Sequence, residues 1–144
     1  MRRLIALCCC VLTFSAAGCA SVSRSHSEKR AKETAAITSA RTWLETLDAG
    51  DYERAFQQKS PRYRTSSTQL QFARAMQGRR APFGRVIARK FIGARRMTRL
   101  VGLPDGDYEA ILFKTDFQNK SAAAERVILV REGGPLHVTG YRIY

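Results

Sequence analysis

Asp107-Tyr108-Glu109-Ala110-Ile111-Leu112-Phe113-Lys114-Thr115-Asp116-Phe117 runs into Gln118-Asn119-Lys120. A second apolar run follows, Ala122 to Arg131, with Val127-Ile128-Leu129-Val130 at its centre. In the first run Ile111, Phe113 and Phe117 fall on one side and Tyr108, Ala110 and Leu112 on the other, the two-residue period of a strand. A parallel crossover needs about a dozen residues or more, and this turn has no room for one. The two runs therefore predict an antiparallel hairpin. Upstream, Leu103-Pro104-Asp105-Gly106 is a turn signal, and downstream Glu132-Gly133-Gly134-Pro135 reverses the chain into a last strand, Leu136 to Tyr144. Val86 to Leu100 reads as the first strand, although Arg89, Lys90 and the Arg95-Arg96 pair leave neither alternate face cleanly apolar. Gly93 is placed for a bulge that exchanges the faces midway.

Ahead of these strands the apolar period is helical. From about Ala31, Ile37, Ala40, Leu44 and Leu47 recur at spacings of three and four, with Trp43 beside the stripe. Gly50 is placed for a left-handed C-terminal cap. Asp51 then caps a short helix that turns Tyr52, Ala55 and Phe56 inward, and Ser60-Pro61 stops it. A third helix is expected to open at Ser66 with Gln69 as its capping box. Leu70, Phe72, Ala73 and Met76 form its apolar side, and Gly78 closes it. Three helices followed by four consecutive strands predict one α+β domain over residues 31–144, with helices packed on an antiparallel sheet.

The N-terminal segment reads as an address. Arg2 and Arg3 precede an apolar run from Leu4 to Ala17, too short to span a bilayer as a helix, which needs about twenty residues. It suits the apolar part of a secretory signal. Ala16-Ala17-Gly18-Cys19 resembles the lipobox of bacterial lipoproteins, with Ala16 where Leu is usual. That resemblance implies a signal peptide over residues 1–18, a palmitate-bearing lipid on Cys19, and a chain facing the periplasm. Ala20 after the cysteine points to the outer membrane. Residues 19–30, rich in serine and without apolar period, are expected to form a flexible tether. His26 belongs to that tether.

Composition narrows the chemistry. The chain has 144 residues and a formal charge of +13. All four cysteines (Cys8, Cys9, Cys10, Cys19) precede the domain and only His26 and His137 are present. A disulfide scaffold, a cysteine nucleophile and a Cys- or His-built metal site are therefore excluded from the domain, and no cofactor is expected. Thirteen Lys or Arg residues and no carboxylates occupy the stretch from Arg54 to Pro104, whereas the rest of the mature chain is slightly acidic. An exported protein with such a segment meets phosphorylated lipid headgroups or lipopolysaccharide rather than nucleic acid. Arg79, Arg80, Arg95 and Arg96 are the candidate anion-binding residues. The alternative is a solvated face in an arginine-rich composition.

Further motifs carry a family resemblance. Trp43-Leu44 with Asp48-Ala49-Gly50-Asp51-Tyr52, then Arg80-Ala81-Pro82-Phe83-Gly84, Pro104-Asp105-Gly106-Asp107-Tyr108, Phe117 through Ala123 and Val138-Thr139-Gly140-Tyr141 resemble a bacterial envelope family, domain of unknown function 4019. Leu136 departs from it, where an aromatic residue is expected. The resemblance implies no activity. Its element order is similar to the nuclear-transport-factor-two-like (cystatin-like) cone, a curved four-stranded sheet wrapped around helices, which hosts enzymes, ligand binders and structural domains alike. Trp43, Phe56, Phe72, Met76 and Tyr141 are candidates to line a pocket on the concave face, and core packing is the competing account. An acid-base site would need Asp116 or Glu109 with Tyr63, Tyr141 or His137 as donor. The balance favours a non-enzymatic binding or interaction module in the envelope, over a small-molecule pocket with catalysis.

Overall fold

The structure, a computed structural model, describes residues 19–144, with side chains from 34 onward. The expected signal segment, the lipid site on the Cys19 side chain and His26 lie outside these described residues and side chains. Helix α1 spans Cys19–Asp48, α2 Tyr52–Gln57, α3 Pro61–Arg64 and α4 Gln69–Arg80; the strands are β1 Val86–Met97, β2 Tyr108–Phe117, β3 Lys120–Arg131 and β4 Leu136–Ile143. The strands form one sheet in the order β1-β2-β3-β4, each pair antiparallel, as the short turns require. Among the described residues, no helix is long and apolar enough to cross a membrane.

Helix α1 presents Ala36, Ala40, Trp43, Leu44 and Leu47, all buried, to Ile111, Phe113, Val127, Leu129 and Val138 of the sheet. It begins at Cys19 rather than near Ala31, so residues 19–30, expected as a flexible tether, are helical backbone. Glu28-Lys29-Arg30-Ala31-Lys32-Glu33 are good helix formers that carry the helix back without an apolar stripe. Gly50, at φ 75°, ends α1, and the N–H groups of Gly50 and Asp51 close on the carbonyls of Leu47 and Thr46. Asp51 caps α2 by accepting from the Arg54 N–H at 3.0 Å. Trp43 Nε1 donates to the Ala55 carbonyl at 2.9 Å and joins α2 to α1.

Between α2 and α4 the structure departs from the sequence reading. The chain at Gln58–Ser60 runs beside β4, with Ser60 N–H donating to Val138 O at 2.9 Å and Val138 N–H to Gln58 O at 3.2 Å. Pro61 then opens α3 instead of only stopping α2, because its missing N–H is one the first turn of a helix does not need. The capping box of α4 is Thr68 with Gln71: Thr68 Oγ1 accepts from Gln71 N–H at 3.2 Å and Gln71 Oε1 from Thr68 N–H at 2.8 Å. Ser66, the expected cap, instead donates to the Tyr63 carbonyl at the end of α3. Helix α4 runs through Gly78 to Arg80, burying Phe72 and Met76, while Leu70 points to solvent. A 3-10 turn, Ala81–Phe83, leads to Gly84 at φ 73°. A Cβ there would stand 3.0 Å from Gln118 Cβ, so glycine is needed both for the turn and for the approach of the β2–β3 hairpin.

Bulges re-aim three strands. In β1 the register slips between Val86 and Ala88 and between Phe91 and Gly93, the second at the position suggested by Gly93. In β3, Ala122 adopts φ 53° where Asp116 of β2 faces a bulge, and its N–H donates to Asp116 Oδ1 at 2.7 Å. The slip between Ile128 and Leu129 places an extra residue, Thr139, in β4. We predict that Thr68→Ala destabilises the protein by about 1 kcal/mol, whereas Ser66→Ala stays within about 0.5 kcal/mol. Urea unfolding of the two variants measures the difference.

Candidate functional site

Period-two alternation points Arg89 to the same side of β1 as Phe91, and Glu125 to the same side of β3 as Val127, so both charges enter the layer between sheet and helices. Glu125 is fully buried. Its carboxylate accepts from Arg89 Nε at 2.7 Å, Arg80 Nη1 at 3.1 Å, Thr115 Oγ1 at 2.5 Å and Tyr141 OH at 2.5 Å. Arg80 Nη1 also donates to Tyr141 OH at 2.6 Å. Asp48 closes the circuit, accepting from Arg80 Nη2 and from Arg89 Nη1 at 2.7 Å. Two guanidinium groups thus face two carboxylates, and α1, α4 and all four strands each supply one member.

The electrostatics follow from this geometry. Burial would raise the Glu125 carboxyl, but the Arg89 charge and the bonds from Thr115, Tyr141 and Arg89 outweigh it and hold the group below its ordinary range. Burial would lower Arg89, and the two carboxylates reverse that and raise it. Tyr141 is raised, first by burial and then by the Glu125 charge. Glu125 is therefore an ionised acceptor whose lone pairs are already occupied.

Next to this cluster, α4 and β4 enclose an open cleft of about 560 Å³. Trp43, Phe72, Met76, Val138 and Tyr141 line it, and Trp43 and Tyr141 meet edge to face at 5.3 Å. Lys59 and Arg79 also border it. Lys59 Nζ stands 5.2 Å from the Phe72 ring centroid and 5.8 Å from that of Phe56, and burial lowers its pKa. Among the described residues neither Lys59 nor Arg79 forms an ion pair. Thr139, which also lines the cleft, has a buried Oγ1 with no hydrogen-bond partner among the described residues.

The structure redistributes the residues singled out in the sequence. Trp43, Phe72, Met76 and Tyr141 share the cleft, whereas Phe56 is buried behind Phe72 at 5.6 Å between rings. The cleft lies between α4 and β4, because α1 fills the face of the sheet with core side chains. The four arginines are not one patch. Arg79 is exposed at the cleft, while Arg80 is buried in the ion cluster and unavailable to an outside anion. Arg95 and Arg96 leave β1 on opposite faces, and Arg96 Nε lies 3.6 Å from Glu109. The acid-base candidates are likewise scattered: Asp116 serves the Ala122 bulge, Tyr63 bonds Tyr108 at 2.9 Å, and His137 sits opposite Val130. The sequence reading missed Asp48, Arg89, Thr115 and Glu125 as partners. Their signal was the inward parity of Arg89 and Glu125.

These features define a small α+β domain with a charge-neutral polar core and an open, ligand-sized cleft beside it. The model of the family described as Protein of unknown function (DUF4019) matches residues 39–141, and the chain belongs to that family. No curated protein and no solved structure matches the chain.

The ion cluster generates a pH dependence. Glu125 has a lower pKa folded than unfolded, so the unfolded chain takes up its proton first. Its contribution is complete above the ordinary glutamate value, about pH 4.3, and is lost as pH falls through the lower folded value. Glu125→Gln leaves the buried arginines under-compensated and is expected to cost about 3–5 kcal/mol. Thermal unfolding followed by circular dichroism between neutral and acid pH should show that loss, together with a flatter acid limb in the variant.

Proposed function

We propose that this chain is a bacterial envelope lipoprotein, exported by residues 1–18, anchored by lipid on Cys19 and facing the periplasm from the outer membrane. Its domain is a non-enzymatic binding module of the nuclear-transport-factor-two-like cone architecture, and its ligand enters the cleft between α4 and β4. Ala16-Ala17-Gly18-Cys19 behind an apolar run supports the anchoring, and the element order supports the cone. One observation carries the binding reading: Lys59 and Arg79, without an ion pair among the described residues, border an aromatic floor beside a Thr139 hydroxyl that likewise has no partner among them.

That arrangement suits a small amphiphile with an anionic end. An apolar body displaces water from Trp43, Phe72 and Met76, and a carboxylate or phosphate accepts bonds from the two cations. Charge-assisted hydrogen bonds are about twice as strong as neutral ones, and partial burial of Lys59 strengthens them further. Among the described residues that line this cleft none is a carboxylate or a histidine that could serve the acid-base alternative. The nearest fully buried carboxylate, Glu125, spends its lone pairs on Arg80, Arg89, Thr115 and Tyr141.

Trp43 is the only tryptophan of the chain and lines the cleft, so its emission reports on occupancy. Decanoate and dodecyl phosphate should change that emission saturably, 1-decanol should bind at least tenfold more weakly, and Lys59→Gln with Arg79→Gln should remove the difference. Equal binding of the alcohol, or no saturable response, refutes the cleft. The anchor has its own test. Mass spectrometry of the mature N-terminus should find a diacylglyceryl-modified Cys19, and a soluble product starting at Ala20 or later would contradict it.

A further inference from the structure

The sheet has a second face, turned away from α1, and its charge is one-sided. Strand register sets Lys90 directly opposite Lys114 and Arg126 directly opposite Arg142. These residues alternate with the inward Arg89, Phe113, Glu125 and Tyr141, so all four point outward. Like charges directly opposite one another destabilise a sheet, and among the described residues no carboxylate pairs with them. Among the described residues none of the four forms an ion pair, and Arg126 Nε is buried without a hydrogen-bond partner. Asp116, the one carboxylate among the outward strand residues, is committed to the Ala122 N–H. Two such pairs on one face point to a partner that brings negative charge.

The same face also carries apolar side chains in the open. The two β1 bulges add Ile87 and Ile92, which are 56% and 51% exposed. Tyr144, 49% exposed, has the guanidinium groups of Arg126 and Arg142 over its ring at 5.5 and 5.8 Å. We propose that this outer face docks on an anionic lipid bilayer, its cations on the headgroup phosphates and Ile87, Ile92 and Tyr144 at the boundary with the acyl chains. Charge complementarity alone fits any polyanion. Exposed isoleucines and a tyrosine among the cations fit a surface that is both anionic and apolar a few ångströms deeper. This docking does not depend on the cleft or on lipid at Cys19.

The test uses residues 20–144, since among the residues whose side chains are described every buried core residue lies at Ala36 or beyond. Co-sedimentation with phosphatidylcholine vesicles, with and without phosphatidylglycerol, measures the partition constant. Binding is expected only with the anionic lipid and should weaken as salt shortens the screening length towards about 8 Å. A basic residue near such a surface contributes about 1 kcal/mol, a factor of about five. Arg126→Gln with Arg142→Gln should therefore lower partitioning roughly 25-fold, while thermal stability holds or rises because a repulsive pair is gone. Arg62→Gln with Arg74→Gln, on the helical side, should lower it by about twofold or less. If the double variant does not fold, Arg142→Gln alone, at an exposed position, should lose about fivefold. Ile92→Ser should weaken vesicle binding and leave heparin binding unchanged. Unchanged partitioning in the arginine variants, an equal loss in the Arg62/Arg74 control, or heparin bound as tightly as vesicles overturns the proposal. Trp43 emission on adding decanoate should be unaffected by Arg126→Gln, so failure here is separable from failure of the cleft.

Discussion

The Asp48–Arg80–Arg89–Glu125 cluster is the constraint around which the remaining parts are arranged. A charge taken out of water costs several kcal/mol unless it is met by opposite charge and hydrogen bonds. Here each carboxylate meets both guanidinium groups, and Thr115 and Tyr141 complete the Glu125 shell. Since the members come from α1, α4 and every strand, the network is satisfied only when those elements are all in register. Arg80 draws the end of α4 inward, which carries the helix past Gly78 and sets up the turn at Gly84. Tyr141 is held by the same network on one edge and forms part of the cleft on the other. The cleft therefore inherits a rigid wall from the core.

Bulges are the second device. A regular strand would alternate its side chains without interruption, and β1 would then carry Gly93 and the residues after it on the wrong faces. The extra residue at Ile92 returns Ala94 to the core and leaves Ile92 in solvent. In β3, the Asp116 carboxylate steadies the left-handed Ala122, a conformation that costs an ordinary residue roughly 1 kcal/mol or more. One carboxylate considered for acid-base chemistry thus has a local structural task. The outcome is a sheet with two unlike faces, one packed on α1 and closed around the ion cluster, the other carrying the exposed Lys90, Lys114 and Arg142.

Much of the architecture was legible in residue patterning. The two-residue period of Ile111 and Phe113, the short turns and the helical stripe from Ile37 to Leu47 each rest on local geometry, and α1, α2, α4 and four antiparallel strands follow from them. The errors were local competitions. Ser66 and Thr68 are both sound caps with a glutamine three residues on, and the choice fell to Thr68 because Ser66 closes α3. Pro61 can end one helix or begin another, and the bridge of Lys59 to Val138 makes it do both.

What the sequence determined by itself is therefore the order of α1, α2, α4 and the four strands, their antiparallel pairing, the sites at which turns and a β1 bulge occur, and membership of the family of unknown function. These depend on residues within a few positions of one another, where spacing is a direct statement about geometry. Tertiary structure alone decided which arginines are buried. Arg79 and Arg80 are neighbours of identical chemistry, yet one borders the cleft and the other is locked to Glu125, 45 residues further along the chain. It also decided that Lys90 faces Lys114 and Arg126 faces Arg142, since cross-strand register is a relation between segments. Charge counted along the chain is a sum. What it does depends on where each partner lies in space.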